Sequence, residues 1–287
     1  MLASGFFTGP GEALRRLGMY FAFWLFLSGS SSASPGGPGG FDFSEGEELV
    51  YNVRYAFFNL GQIRIKTVSK TMPDGRPSVL TRAFIDSYRG IPFVDLHAIF
   101  ESAIDEQMFS RRFMGRIKQD NIWDFSRYEF QYDRNRVIVE MGERDTVVAK
   151  RETIAVKSPY QDGLSLFFLA RDGLFSGKRV DAPTMIKEKQ VNTVIAFSDK
   201  RTSVEIDAVE YPVDVAQFDG TMEFTGIFGL TGDFEGWFSN DEARIPILAK
   251  MMLQEFHGDA QKLITKNREA PQEKAVSRFL ILPLAKY

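Results

Sequence analysis

A chain of 287 residues that is 44% hydrophobic and 25% charged has the composition of a globular protein with a real core, not of a disordered or fibrous one. Its 35 Lys and Arg are interspersed with 38 Asp and Glu, for a formal net charge of -3, so it carries no broad positive field for nucleic acid. The absence of cysteine excludes disulfides, thiolate nucleophiles, iron-sulfur clusters, Cys-ligated zinc and a lipidated mature terminus, and the lone pair His97 and His257 has no metal-ligand spacing; no cofactor motif is present.

In chain order, Arg15 and Arg16 precede an apolar run over residues 17–27, followed by small residues at 28–34, which is the order of a secretory signal peptide. A helix of about 11 residues, rising about 1.5 Å per residue, is too short for a hydrocarbon core that needs about 20. The segment is therefore expected to target the chain for export and to touch a membrane only transiently. Leu14, Leu17 and Gly18 do not complete a twin-arginine motif around the Arg pair, so Sec export is the simpler expectation. Ser31-Ser32-Ala33 offers a small-x-small cleavage site, giving a signal peptide over 1–33 and a mature chain that is periplasmic or extracellular. Residues 34–40, rich in Gly and Pro, form a tether with almost nothing to bury.

From residue 41 to 250 the pattern predicts one β-rich domain. Leu49, Tyr51, Val53, Tyr55 and Phe57 alternate with Val50, Asn52, Arg54 and Ala56, the period of a strand with one apolar face. Asn59-Leu60-Gly61 is expected to turn the chain into a second strand carrying Ile63, Ile65 and Thr67, and Pro73-Asp74-Gly75 into a third at 79–85. Strand-length stretches recur at 97–104, 109–118, 126–132, 137–141 and 146–153, with a tight turn at Asp133-Arg134-Asn135-Arg136. Asp162 is placed to cap a short helix containing Leu164, Leu166, Phe167, Phe168 and Leu169, with Gly173 placed to end it. Strands resume at 178–185, 191–197, 203–209, 213–218, 221–224 and 234–239. The fold expected is mainly β, a curved antiparallel sheet or open β-barrel-like fold with one short helix packed on it. Residues 251–287 read as a divergent C-terminal tail: a polar stretch, a separate apolar end at 279–284, and either a terminal helix, an extension or an altered reading frame. Loss of a closing strand there is expected to leave unpaired edge groups.

Several stretches carry a family resemblance: Gly46-Glu47-Glu48-Leu49-Val50-Tyr51-Asn52-Val53, Phe100-Glu101-Ser102 with Ile104-Asp105, Arg127-Tyr128-Glu129-Phe130, Gln161-Asp162-Gly163-Leu164-Ser165-Leu166-Phe167, and Gly236-Trp237-Phe238-Ser239-Asn240-Asp241-Glu242-Ala243-Arg244-Ile245-Pro246. Their order resembles the bacterial exported family called domain of unknown function 3108, over about residues 41–250. The resemblance implies a signal peptide and a curved β architecture loosely like envelope lipoprotein carriers. It implies no catalytic residues.

Glu101, Asp105, Asp241 and Glu242 are the carboxylates that a general acid and base pair would use, but their surroundings read as turns and a hairpin loop. His97 has only Asp95 beside it as an orienter, and Ser165 lacks the second glycine of a nucleophile elbow. Gly226, Gly229 and Gly232 lack the helix and lysine of a phosphate cradle. The 27 phenylalanines are the more informative feature, and Phe57, Phe58, Trp123, Phe125, Trp237 and Phe238 are the candidates to line a concave face that holds an apolar ligand. The competing reading is that they fill a core between sheet and helix. The expected function is a non-enzymatic periplasmic binding or carrier protein for a lipid, glycan or envelope protein. The alternatives are an envelope hydrolase using paired carboxylates and a structural partner of an outer-membrane complex.

Overall fold

A computed structural model describes residues 43–55, 58–71, 77–91, 95–119, 121–224, 226, 230–253 and 278–283. The leader, the Gly/Pro tether, Phe57 and the turn at residues 73–75 lie outside the described residues.

The first meander contains β1 (Glu48–Tyr55), β2 (Phe58–Thr71), β3 (Pro77–Ser87), β4 (His97–Asp105), β5 (Ser110–Gln119), β6 (Ile122–Gln131), β7 (Arg136–Glu143) and β8 (Val147–Ala155). The helix α1 (Ser165–Gly173) follows, and then β9 (Arg179–Ile186), β10 (Lys189–Val204), β11 (Val213–Met222), β12 (Leu230–Ser239), β13 (Pro246–Leu253) and β14 (Arg278–Pro283). All strand pairs are antiparallel, in the order β8-β7-β6-β5-β4-β3-β2-β1-β14-β13-β12-β11-β10-β9. The architecture is therefore mainly β with one helix, as the two-residue period requires.

The alternation in β1 is realised: Tyr51 and Val53 are buried, and Leu49 and Tyr51 lie opposite Ile65 and Ile63 of β2, which in turn face Ala83 and Ile85 of β3. Together these side chains form the inner face. Against it lies α1, buried nearly all round, with Phe168 set edge-on to Phe43 at 4.9 Å and Phe167 6.4 Å from Phe238. A helix without a wet face belongs inside a core.

The sheet is not closed by a ladder, yet side chains and backbone near its two ends meet. The Lys187 N–H donates to Tyr128 Oη at 2.6 Å, Gln190 Nε2 donates to the Ala155 carbonyl at 3.0 Å, and Met185 packs with Val137 and Val139. The chain leaving β8 fills the gap: Gln161 N–H donates to Pro183 O at 2.7 Å and Gln161 O accepts from Met185 N–H at 2.8 Å. The seam is thus held by side chains and one short bridge in place of a strand pair.

Three boundaries differ from the sequence reading. Asn59, Leu60 and Gly61 lie within β2, because a register shift at Val53 and Arg54 lets Asn59 pair with Arg54 and Gly61 with Val53. The expected separate strands at 191–197 and 203–209 are one bulged strand, β10, ending at Val204, and those at 213–218 and 221–224 are the single strand β11. The tail supplies β14, which pairs with both β1 and β13 and joins the two meanders; neither a terminal helix nor an unpaired edge is found at that position. Short apolar runs give no periodicity with which to tell helix from strand.

Candidate functional site

Where the inner face is polar, it is polar for anchorage. Asp162 is wholly buried, and its Oδ1 accepts the N–H groups of Leu164 and Ser165 at 2.7 and 2.8 Å. Ser165 Oγ in return accepts the Asp162 N–H at 2.8 Å, a reciprocal cap on the start of α1. Asp162 Oδ2 accepts Ser102 and Ser110 hydroxyls from β4 and β5 at 2.5 and 2.6 Å. Burial raises the Asp162 carboxyl above its ordinary range despite those four donors. Ser165 is therefore a capping residue and not an exposed nucleophile.

The far end of α1 is tied by Arg171, fully buried, whose guanidinium donates to both Glu47 carboxylate oxygens at 2.6 and 2.9 Å and to the Ala243 carbonyl at 2.9 Å. Arg244 Nη1 donates back to the carbonyls of Arg171 and Asp172 at 3.0 and 2.7 Å. These contacts join the residues before β1, the helix and the β12–β13 loop into one support.

The outer face is different. Strand register places Glu48, Lys66, Arg82, Glu101, Met114, Arg127, Glu140 and Arg151 side by side in one row across β1 to β8. Arg82 Nη2 and Arg116 Nη1 donate to Glu101 at 2.7 and 3.0 Å, Arg116 Nε donates to Asp145 at 2.8 Å, and Arg127 pairs with Glu140. Burial pushes the Glu101 carboxyl up, but hydrogen bonds from Arg82 and Arg116 and their charges outweigh it and hold Glu101 below the usual carboxylate range. Within this charged surface lies a depression of about 220 Å³ floored by Leu80, Ala103 and Met114 and rimmed by Arg112, Arg116, Arg127 and Glu101.

Of the six aromatic candidates, the four whose side chains are described, Trp123, Phe125, Trp237 and Phe238, do not come together on one concave surface. Phe238 lies in the core, 4.9 Å from Phe218, while Trp237 belongs to a separate small cluster with Val215 and Ile247 and carries Lys250 over its ring. Neighbours in a strand point to opposite faces, so Trp237 and Phe238 could never have shared one. On β6, Phe125 is buried beneath Arg127 and Trp123 is half-buried; both lie on the same side of the strand as Arg127. Phe58 begins β2, and Phe57 lies outside the described residues.

The four candidate carboxylates are likewise dispersed. Glu101 is held in the outer ladder, and Asp105 accepts the N–H groups of Gln107 and Phe109 and the guanidinium of Arg111. Asp241 accepts from Ser239 Oγ and from the N–H groups of Ala243 and Arg244, and Glu242 is exposed in the same loop. His97 Nδ1 lies 2.8 Å from Asp86 Oδ1 and Nε2 lies 3.4 Å from Asp95, so its main orienter is the cross-strand Asp86. Gly232 takes a positive φ of 70° at a bulge in β12, Gly226 is in the preceding loop, and Gly229 lies outside the described residues. Among the described residues no group of three or more His, Asp or Glu converges as a metal site, and no helix is long and apolar enough to cross a membrane.

Apart from Glu101, the residues around the depression escaped sequence reasoning because outward positions in an alternating strand read as ordinary solvated surface. The one available signal was the spacing Arg112-x-Met114-x-Arg116, which sets two guanidiniums and a thioether on one side of β5.

Comparison with curated proteins found no match. Among solved structures, the chain is similar to a beta-barrel-like protein of domain of unknown function DUF1849 from Brucella abortus, at 9% identity and a TM-score of 0.49 over 83% of this chain and 95% of that one. The profile of the family described as "Protein of unknown function (DUF3108)" matches residues 50–259, most of the chain and past Lys250. On that match, the chain belongs to the DUF3108 family.

Proposed function

We propose that this chain is an exported, non-enzymatic binding or carrier protein of the periplasm or cell envelope, and that it meets its ligand, a lipid, glycan or envelope protein, on the outer surface of its sheet. The observation that carries this reading is the depression around Met114, where an apolar floor is ringed by guanidiniums. Among the described residues, α1 and buried phenylalanines pack against the inner face. Export follows from the Arg15-Arg16 leader and the Ser31-Ser32-Ala33 cleavage site. A hydrolase has less support, since Glu101, Asp105 and Asp241 are each engaged by different structural partners.

Osmotic-shock fractionation of cells making the full chain with a C-terminal tag, followed by intact mass measurement, tests the reading. A periplasmic product starting near Ser34, carrying a co-purified small molecule under native conditions, is expected. Full-length protein confined to the cytoplasm would overturn it.

A further inference from the structure

Resting on that binding reading, we propose that the depression around Met114 is an oxyanion site whose ligand is a phosphate group, free or carried as the headgroup of an amphiphile, with Arg112 as its principal donor.

The placement begins with β5. Arg112, Met114 and Arg116 are alternate residues and stand on one face, about 6.7 Å apart along the strand. Register sets Arg127 directly beside Met114 from β6 and Ala103 beside Arg112 from β4. Three guanidiniums thus surround one thioether. Arginine presents a planar fork of N–H donors that matches phosphate oxygens, and it is always charged.

Charge compensation then separates the three. Arg116 is matched by Glu101 and Asp145 and Arg127 by Glu140, so these two offer remaining N–H groups held in fixed positions. Arg112 faces Glu129 across the β5–β6 ladder, yet Glu129 accepts from Gln131 Nε2 at 2.7 Å. Among the described residues, Arg112 has no ion-pair or hydrogen-bond partner, and it is exposed at the rim. Arg112 therefore keeps its N–H donors open at the rim, where an incoming anion can accept them beside the fixed guanidiniums of Arg116 and Arg127.

Size decides what the anion brings with it. A volume of about 220 Å³ falls below the roughly 300–1,000 Å³ of pockets that engulf a whole drug-sized ligand. It suits a headgroup, with Leu80, Ala103 and Met114 meeting the first carbons of an attached chain.

Isothermal titration of the mature protein with inorganic phosphate, with dodecyl phosphate below its micelle-forming concentration, and with the uncharged dodecyl maltoside tests the assignment. Saturable binding of dodecyl phosphate is expected, weakened at least tenfold in Arg112→Gln and unchanged in Arg179→Gln, an exposed arginine on β9. Thermal unfolding of both variants should match the parent. Binding of inorganic phosphate with the same Arg112 dependence would identify the free anion as sufficient; binding of dodecyl phosphate alone would require the attached chain. No saturable binding of either phosphate, equal affinity for dodecyl maltoside, or an unchanged affinity in Arg112→Gln would overturn the site. A periplasmic protein that binds neither phosphate refutes this inference and leaves the export reading intact, whereas a cytoplasmic protein that binds through Arg112 does the reverse.

Discussion

Replacing Asp162 by alanine removes the cap of α1 and its anchor on β4 and β5 in one step. Two N–H groups lose their acceptor, which costs about 1 kcal/mol. Ser102 is left with a buried hydroxyl and no acceptor, about 1–3 kcal/mol more, whereas Ser110 keeps Ser165 Oγ at 3.0 Å. The total is about 3 kcal/mol, and at roughly 2–4 °C per kcal/mol for a domain of this size the melting temperature should fall by about 6–12 °C. Asp162→Asn keeps the Oδ1 cap and should lose less than half as much. The pH dependence separates the two effects. Because the folded carboxyl holds its proton more tightly than the unfolded one, its contribution to stability is present at low pH and is lost as pH rises from the ordinary carboxylate range through the folded value. The asparagine variant lacks that loss, so its stability relative to the parent should improve with rising pH. Circular dichroism melts and urea titrations from pH 4 to 8 measure both quantities. An alanine variant within about 1 kcal/mol of the parent would refute the anchoring argument, given the contributions above.

Three other substitutions test the support around the helix. Arg171→Met leaves Glu47 and the Ala243 carbonyl without their donor and should cost about 3–5 kcal/mol in urea unfolding, as for other broken buried pairs. Tyr51→Phe removes a buried hydroxyl that has no hydrogen-bond partner among the described residues and should raise stability by about 1 kcal/mol; a clear loss would mean that the hydroxyl is bonded. Gly173→Ala places a Cβ 2.5 Å from the Phe197 ring and should cost about 1–3 kcal/mol in the same assay, although alanine favours helix.

Much of this architecture is visible in the residues themselves. Tyr51 and Val53 announce an inner face by alternation, and Asp162 with Ser165 announces a helix start, because both signals are local. β14 is not legible in the same way, since its pairing with β1 joins residues more than 200 positions apart and depends on nothing nearby. The same limit hides the site. Arg112 and Arg116 read as wetted arginines until the fold shows Arg116 paired with Glu101 and Asp145 while Arg112 makes no ion pair among the described residues, although register sets Glu129 opposite it. His97 makes the point in miniature: Asp95 is visible in sequence, while the nearer Asp86 is contributed by the neighbouring strand. Gly173 reads as a helix terminator, yet the contact that requires glycine is with Phe197, brought there by β10.

The proposed ligand site lies on the outside of β5 and β6, over an inner face against which α1 and the phenylalanines pack. Amide chemical-shift mapping of the labelled mature protein during titration with dodecyl phosphate addresses it directly. Perturbations are expected to centre on Arg112, Met114, Arg116 and Arg127, with Phe168, Phe218 and Phe238 unmoved. Shifts concentrated on those three phenylalanines would place the ligand inside the sheet and contradict this placement.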